Sequence, residues 1–229
     1  MVDADKMVQL FHEWQAKAIH TGSVFNLDGI VDPAEWAKQE KHILFVLKEA
    51  YHSDEYPSPV YDLTQDLREH APWKGDTIWR RVAEWANGLL LSWPDSMAPY
   101  RKLSDAEANA VLRRIAIVNI KKSHGTSQSD PDDLRHFAEA DKELLYRQIE
   151  LIEPHIIVCG NTFEFLNIVI GAHDTPIDRD GQHSDNWHYR WRDRMILDYY
   201  HPAALYPAQL LYYGLLGCYR DAIKMRHPL

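Results

Sequence analysis

Four short apolar runs, separated by longer helical patterns, constrain the fold of this chain most strongly. The runs cover residues 43–47, 116–120, 156–159 and 195–199. None of them alternates polar and apolar side chains, which is typical of strands that are buried on both faces. Such strands form parallel sheets that are covered by helices on both sides. We therefore predict an α/β fold with three layers, α/β/α, around a central four-stranded parallel sheet.

Apolar side chains at helical spacing occupy the intervals between these runs. The pattern is strongest over residues 79–89 and 134–152, and further helices are predicted at 5–18 and 206–223. The chain has 229 residues, of which 45% are hydrophobic, and this is enough to fill one sizeable core. We predict a single domain over residues 1–229.

Composition narrows the function classes. No apolar run is long enough to cross a membrane, and the first residues lack a secretory-signal pattern, so we expect a cytoplasmic protein without membrane association. Two cysteines without a CxxC pair suggest neither a disulfide framework nor a metal cluster. The net charge of −9 does not favour nucleic-acid binding, although local clusters such as Arg190, Arg192 and Arg194 permit a basic face.

Polar side chains follow the predicted strands at the points where the strands end. Lys48 and Glu49 follow the first run, Asn119 lies near the end of the second, and His201 follows the fourth. In open α/β sheets, ligands bind beyond the carboxyl ends of the strands. We therefore expect a carboxylate, an amide and an imidazole to converge at one edge of the sheet.

These three groups suit the cleavage of an N-glycosidic bond. A carboxylate can hold a water and face a cationic sugar, an imidazole can stabilise the departing base, and an amide can read a base edge. Each residue also has an ordinary structural interpretation. Glu49 suits an exposed loop acid, Asn119 an amide that satisfies loop backbone, and His201 a residue at a helix entry.

Several segments resemble motifs of the uracil-DNA glycosylase superfamily. LKEAYH at 47–52 resembles its first motif, glycine-glutamine-aspartate-proline-tyrosine-histidine, and YHPAAL at 200–205 resembles its last. IVNIKK at 117–122, PWKG at 72–75 and QIELIEPHIIVCG at 148–160 are similar to segments of its thermostable iron–sulfur branch. The five segments occur in the family's order over residues 42–225.

The resemblance implies a role for each matching residue. Glu49 would position the water, and His201 would stabilise the departing base. Asn119 would read the base edge, with Trp73 and Tyr51 framing the ring. Leu205 would enter the gap that a flipped base leaves in the duplex.

The departures from the family pattern are informative too. The cluster-binding cysteines of the iron–sulfur branch are missing, so no cofactor or metal is expected. Leu47, Lys48 and Ala50 replace glycine, glutamine and proline around the pocket floor. We therefore expect an enlarged pyrimidine as substrate, such as glucosylated hydroxymethylcytosine of phage DNA in anti-phage defence. Lys48, His124 and the aromatic-basic stretch 174–194 would contact its polar substituents.

The predicted function is that of a monofunctional DNA glycosylase acting as a monomer on double-stranded DNA. Glu49 and His201 are the predicted catalytic residues. The predicted DNA contacts are Leu205, Lys121, Lys122 and His124. Three alternatives remain open: a non-catalytic module that binds modified DNA, a plain uracil-DNA glycosylase, and a metal-dependent hydrolase using histidines such as His183 and His188.

Overall fold

The computed structural model describes residues 4–50, 58–73, 75–125, 128–171 and 187–224. The strands in these ranges are β1 (Phe25–Leu27), β2 (Gly29–Ile30), β3 (Ile43–Glu49), β4 (Val60–Asp62), β5 (Ala116–Lys121), β6 (Ile156–Gly160), β7 (His188–Trp191) and β8 (Arg194–Tyr199). The helices are α1 (Ala4–Gln15), α2 (Pro33–Trp36), α3 (Leu63–Glu69), α4 (Ile78–Leu91), α5 (Asp105–Leu112), α6 (Pro131–Ile152), α7 (Phe163–Gly171) and α8 (Ala208–Lys224).

Six strands form the main sheet, in the order β2-β5-β3-β6-β8-β7. β3 pairs in parallel with both β5 and β6, and β6 pairs in parallel with β8. The strands at the two edges, β2 and β7, pair antiparallel with their neighbours. A separate two-stranded sheet joins β1 and β4. The carboxyl ends of β5, β3, β6 and β8 consequently lie along one edge of the main sheet.

Helices cover both faces of this sheet. On β3, Ile43, Phe45 and Leu47 pack into one buried cluster together with α3, α4, α5 and α8. Leu44 and Val46 face the other side, where they pack with α1, α6 and α7. The largely apolar character of the strand runs follows from this arrangement, because both faces of each strand are in contact with core.

Local sequence accounts for the longest helix. Asp130 accepts a hydrogen bond from the backbone N–H of Asp132 at the start of α6, and Pro131 occupies the first helical position. Two aspartates in the first turn complement the helix dipole. The helix ends at Glu153, which has a left-handed conformation with φ 52° directly before Pro154.

The predicted α/β class is confirmed. All four apolar runs lie in strands, and the four predicted helical regions overlap α4, α6, α1 and α8. The sheet is larger than predicted, because β2 and β7 add an antiparallel strand at each edge. Within the aromatic-basic stretch 174–194, for which no strand was predicted before residue 195, residues 188–191 form β7. No helix within the described ranges combines the length and apolar character that a membrane span requires.

Candidate functional site

Three strand ends are in direct contact at the carboxyl edge of the sheet. Gly160 ends β6, and a Cβ at this position would lie 2.7 Å from Cδ2 of Leu47 on β3 and 3.2 Å from Cδ of Pro202 after β8. The backbone N–H of Asn161 also donates to the carbonyl of Tyr199 at 2.7 Å. A glycine is therefore required where the ends of β3, β6 and β8 pack together.

His201 lies at this junction in a defined tautomeric state. Its Nδ1 accepts a hydrogen bond from the backbone N–H of Ala203 at 3.1 Å. A backbone N–H can only donate, so Nδ1 carries a lone pair and the ring proton is on Nε2. Burial, together with the positive charge of Lys48, lowers the pKa of His201 to about 4. The imidazole is therefore neutral near pH 7 and offers Nε2–H as a donor.

The segment that carries His201 is anchored from α4. Nη1 of Arg81 donates to the carbonyl of Pro202 at 2.5 Å and to that of Ala204 at 2.7 Å. The backbone N–H of Ala204 donates to the carbonyl of His201 at 2.9 Å. These bonds fix the turn after β8. Cδ2 of Leu47 and Cδ of Pro202 both pack against Gly160, so the end of β3 lies close to this turn.

Glu49 ends β3 and is held by the segment after β5. Its side chain is 6% exposed, and its Oε2 lies 3.5 Å from Nζ of Lys121. Gly125 crosses directly over the carboxylate, because a Cβ there would lie 2.3 Å from Cδ of Glu49. The N–H of Gly125 donates to the carbonyl of Ala50 at 3.1 Å. Both a charge and a close backbone contact therefore position this carboxylate.

Asn119 lies on β5 in register with Leu47 of β3 and is buried. Its backbone N–H and its Nδ2 both donate to Oδ2 of Asp28, at 2.8 and 3.2 Å. The other oxygen of Asp28 accepts from Nζ of Lys122 at 2.5 Å and from Nε2 of Gln148 at 2.8 Å. The amide of Asn119 therefore belongs to a buried polar cluster of Asp28, Asn119, Lys122 and Gln148, which we call the Asp28 cluster.

A serine, a histidine and an aspartate form a chain beside the Asp28 cluster. His20 bonds Oγ of Ser123 through Nδ1 at 2.9 Å and Oδ2 of Asp141 through Nε2 at 2.8 Å. A nucleophilic serine must be accessible to its substrate. Ser123 is 3% exposed, and the imidazole packs against Phe25 and Phe137. These contacts fit a structural role in anchoring the segment after β5.

Burial changes the interpretation of the predicted lysine contacts to DNA. Lys122 is fully buried with its ammonium on Asp28 and over the Trp14 ring, so it cannot reach a phosphate. Nζ of Lys121 pairs with Asp133 and Glu49, and its side chain is 12% exposed. Both lysines therefore form ion pairs inside the protein and do not present their charge on its surface.

The other predicted basic contacts are also engaged. His124 is half-buried, and its backbone N–H donates to the carbonyl of Val24 at 3.2 Å. In the cluster near β7, Arg192 and Arg194 both pair with Glu150 of α6. Glu150 therefore offsets part of the positive charge of the arginine cluster that permits a basic face.

Leu205, the remaining predicted DNA contact, lies on the surface, in contrast to the buried lysines. Its side chain is fully exposed, four residues after His201. Beside it lies an apolar cleft of about 280 Å³ lined by Trp187, Tyr199, Tyr200, Tyr206, Leu210, Leu211, Gly214 and Cys218. The ring centroids of Trp187 and Tyr200, and of Tyr200 and Tyr206, are each 5.2 Å apart. An exposed apolar side chain next to partly exposed aromatic rings is typical of an interaction surface.

Of the two predicted base-framing residues, Trp73 is among the residues that the structure describes and Tyr51 is not. Trp73 is partly buried and packs against the core cluster that contains α4. Tyr51, together with residues 174–186 of the predicted aromatic-basic stretch, lies outside the described residues. Of that stretch, Trp187 borders the apolar cleft and His188 begins β7.

The sequence did not reveal the residues that hold the predicted site in place. Asp28, Gln148, Arg81, Gly125 and Gly160 all act through partners that are distant along the chain. The glycines after strands were the only usable indication, since glycine often marks a close backbone approach. Within the described ranges, no group of three or more histidine, cysteine, aspartate or glutamate side chains is arranged to hold a metal ion.

Comparison with known proteins adds no family. Neither a protein-family profile nor a curated protein matches the chain.

Proposed function

We propose that this chain is a monofunctional DNA glycosylase with a fold of the uracil-DNA glycosylase type. In this proposal it flips a modified pyrimidine out of duplex DNA and hydrolyses the bond between the base and its deoxyribose. One observation carries the proposal: a neutral His201, with its proton on Nε2, lies where the ends of β3, β6 and β8 meet. Such a group can donate a hydrogen bond to a base that departs as an anion.

The reaction requires a carboxylate on the sugar side. The bond from C1′ to the base nitrogen breaks, and its electron pair leaves with the base. The oxygen of a water forms a new bond to C1′ and gives up a proton to the Glu49 carboxylate, which later releases it to solvent. Glu49 is positioned to orient that water and to offset the positive charge that develops on the sugar. The departing base is later protonated from solvent, and an abasic site remains.

The strand order favours cooperation between these two groups. One strand, β6, separates β3 from β8, which places their backbones roughly 10 Å apart. Side chains reaching inward from both strands can meet a nucleotide bound between them. Asn119 on the neighbouring β5 would then read the base edge, and Lys48 at the end of β3 would contact a polar substituent on the base.

The exposed apolar surface supports DNA as the partner. Base flipping leaves a gap in the stack that an apolar side chain can fill, and aromatic rings stack with unpaired bases. Leu205 is fully exposed, and Tyr200 and Tyr206 are partly exposed beside it. The chain offers these groups within five residues of His201.

A lyase activity through a lysine is disfavoured in this proposal. A Schiff-base nucleophile must be an uncharged amine that reaches the sugar. Nζ of Lys121 is paired with two carboxylates, and Lys122 is fully buried. We therefore expect borohydride to trap no covalent complex between the protein and DNA during base release.

The test is a panel of duplex DNAs that carry uracil, hydroxymethylcytosine or glucosylated hydroxymethylcytosine. Released bases are identified by mass spectrometry, and abasic sites by alkaline cleavage. We expect release of the glucosylated base by the wild type and by His70→Ala, which removes an exposed histidine, but not by His201→Ala. Release of uracil alone would assign a plain uracil-DNA glycosylase. Tight binding without release of any base would refute the enzyme and favour a module that binds modified DNA.

A further inference from the structure

The Asp28 cluster contains a carboxylate that none of the proposed catalytic steps uses. Asp28 directly precedes β2, on the side of β5 that is opposite to β3. Its two oxygens accept four hydrogen bonds: two from Asn119, one from Lys122 and one from the Gln148 side chain. All four side chains of this cluster are at most 3% exposed.

We infer that Asp28 is a positioning residue that fixes the orientation of the Asn119 amide and thereby selects bases with an amine at position 4. This inference rests on the proposed function, in which Asn119 meets the base. The inference adds Asp28 to the residues that determine the substrate. It also predicts that the site binds cytosine-type bases, which have an exocyclic amine, more tightly than uracil-type bases, which have a carbonyl.

The orientation follows from the chemistry of the two groups. An ionised carboxylate only accepts hydrogen bonds, whereas the amide of asparagine has a donor end and an acceptor end. Oδ2 of Asp28 holds both the backbone N–H and Nδ2 of Asn119. Rotation of the amide by 180° would bring two oxygens together in a buried environment, which is strongly unfavourable. Oδ1 of Asn119 is therefore turned away from Asp28.

That oxygen remains available to a ligand. Among the described residues, no hydrogen bond reaches Oδ1 of Asn119. An acceptor in a buried position is satisfied by a base that supplies an N–H and is left unpaired against a carbonyl. Opposite position 4 of the base, the 4-amine of a cytosine supplies such a donor and the 4-carbonyl of a uracil does not. The N3–H of a uracil is one ring position away and would meet this oxygen only in a shifted pose.

Lys122 and Gln148 keep the positioning carboxylate in place. Nζ of Lys122 lies 2.5 Å from Oδ1 of Asp28, and this ammonium is completely buried. Nε2 of Gln148 also donates to the backbone carbonyl of Asp28 at 3.1 Å. With its other oxygen and its carbonyl occupied, Asp28 has little freedom to rotate away from Asn119.

Binding to matched DNAs tests this inference independently of cleavage. The DNAs carry 5-hydroxymethylcytosine or 5-hydroxymethyluracil, each also in glucosylated form. The two bases differ in the group at position 4 and in the hydrogen on N3, which only the uracil type carries. A 2′-fluoroarabino sugar blocks hydrolysis, and an abasic site opposite the modified base removes differences in pairing. For the wild type we expect the amine-bearing DNA to bind at least about tenfold more tightly than its carbonyl partner.

Three double variants separate positioning from folding. Asp28→Ala with Lys122→Met removes the acceptor and its counter-charge together, and we expect the preference for the amine to fall to about twofold or less. Asp28→Asn with Lys122→Met retains an oxygen that can still accept from Asn119, so most of the preference should return. Asp32→Asn with Arg113→Met removes another buried carboxylate and its partner, which do not contact Asn119, and should leave the preference unchanged.

Equal binding of the two bases by the wild type would overturn the inference, even if the double variants fail to fold. An unchanged preference in the folded Asp28→Ala/Lys122→Met protein would overturn it as well. A clear amine preference without any base release from cleavable DNA would support the role of Asp28 and refute the glycosylase. Base release without an amine preference would support the glycosylase and refute the role of Asp28.

Discussion

The segments that follow β5 and β8 both carry predicted site residues, but their side chains lie in opposite environments. After β5, residues 121–125 are held by the Lys121 ion pairs, the buried Lys122 and the contact of Gly125 with Glu49. After β8, residues 200–206 present a half-buried imidazole and a fully exposed leucine. The first segment fixes groups that belong to neighbouring strands, whereas the second offers its own side chains to a ligand.

Charge burial explains why the two segments differ. An ammonium inside a protein needs a counter-charge and hydrogen bonds, and Lys122 obtains both from Asp28. Complete burial still lowers the pKa of Lys122, while the carboxylate of Asp28 acts in the opposite direction. His201 avoids this cost because its imidazole is neutral. In the proposed function, the segment after β5 fixes the neighbouring strands and the segment after β8 presents its own side chains, so the geometry of the site would be set before a ligand binds.

The largest effect on stability is expected from removing Asp28, the buried partner of Lys122 in the segment after β5. Asp28→Ala leaves the Lys122 ammonium buried without its counter-charge, and we expect the free energy of unfolding to fall by about 3–5 kcal/mol. Adding Lys122→Met should recover part of this loss. Denaturant unfolding monitored by circular dichroism measures both values. A loss for Asp28→Ala no larger than that for Asp32→Ala, whose partner Arg113 is partly exposed, would contradict the importance of this pair.

The next largest effect concerns catalysis. Glu49→Gln and His201→Ala should each reduce the rate of base release by at least about 10²-fold, because single preorganised groups carry that much of the transition-state stabilisation. Single-turnover assays on the best DNA of the panel measure this rate. Glu164→Gln, which alters an exposed acid of α7, is the matched control for the glutamate. Wild-type rates in both site variants would remove them from the mechanism.

A smaller effect is expected in the presenting segment at Leu205. Leu205→Ala should weaken productive DNA binding about tenfold, because less apolar surface is buried in the duplex. Stability should change by less than about 0.5 kcal/mol, since the side chain is fully exposed. Leu91→Ala, another exposed leucine, is the control. Equal loss of binding in both variants would mean that Leu205 has no special contact with DNA.

The smallest effect concerns the pH profile. The reaction needs neutral His201, so its rate should decline as pH falls through the His201 pKa of about 4. Lys48→Met removes a positive charge that lowers this pKa, so the acid limb should move to higher pH. The displacement should be a fraction of a pH unit, because burial is the larger cause. Lys102→Met, at an exposed position, should not move it; an unmoved limb in Lys48→Met would contradict the proximity of Lys48 and His201.

The same pKa links His201 to stability. The folded state binds the proton less readily than the unfolded chain, whose histidine has a pKa of 6.5. The neutral ring therefore contributes stability above about pH 6.5, and this contribution is lost as the pH falls towards 4. His201→Ala should flatten the dependence of unfolding free energy on pH in this window.

The two segments also differ in how well the sequence predicted them. The strands were recognisable because burial on both faces leaves an uninterrupted apolar run, as in β3. The edge strands β2 and β7 were missed because one has two residues and the other alternates polar with apolar side chains. The full exposure of Leu205 was not predicted by periodicity, since only the family resemblance singled this residue out.

The role of Lys122 was misjudged for a different reason. Lysine is usually exposed, so Lys121 and Lys122 suggested a basic surface. Asp28, the partner of Lys122, is 94 residues earlier in the chain, and no local sequence pattern around Asp28 indicates that the two residues pair. Long-range pairs of buried charges are decided by the packing of the sheet and helices, which periodicity does not describe.

A double-mutant cycle on Glu49 and His201 is the most direct test of a shared cavity. The wild type, Glu49→Gln, His201→Ala and the double variant are compared by single-turnover release of glucosylated hydroxymethylcytosine. Groups that act on one transition state give strongly non-additive effects, so the double variant should be little slower than the slower single variant. Two effects that simply multiply, or no release by the wild type at all, would contradict an acid and an imidazole working on the same bond.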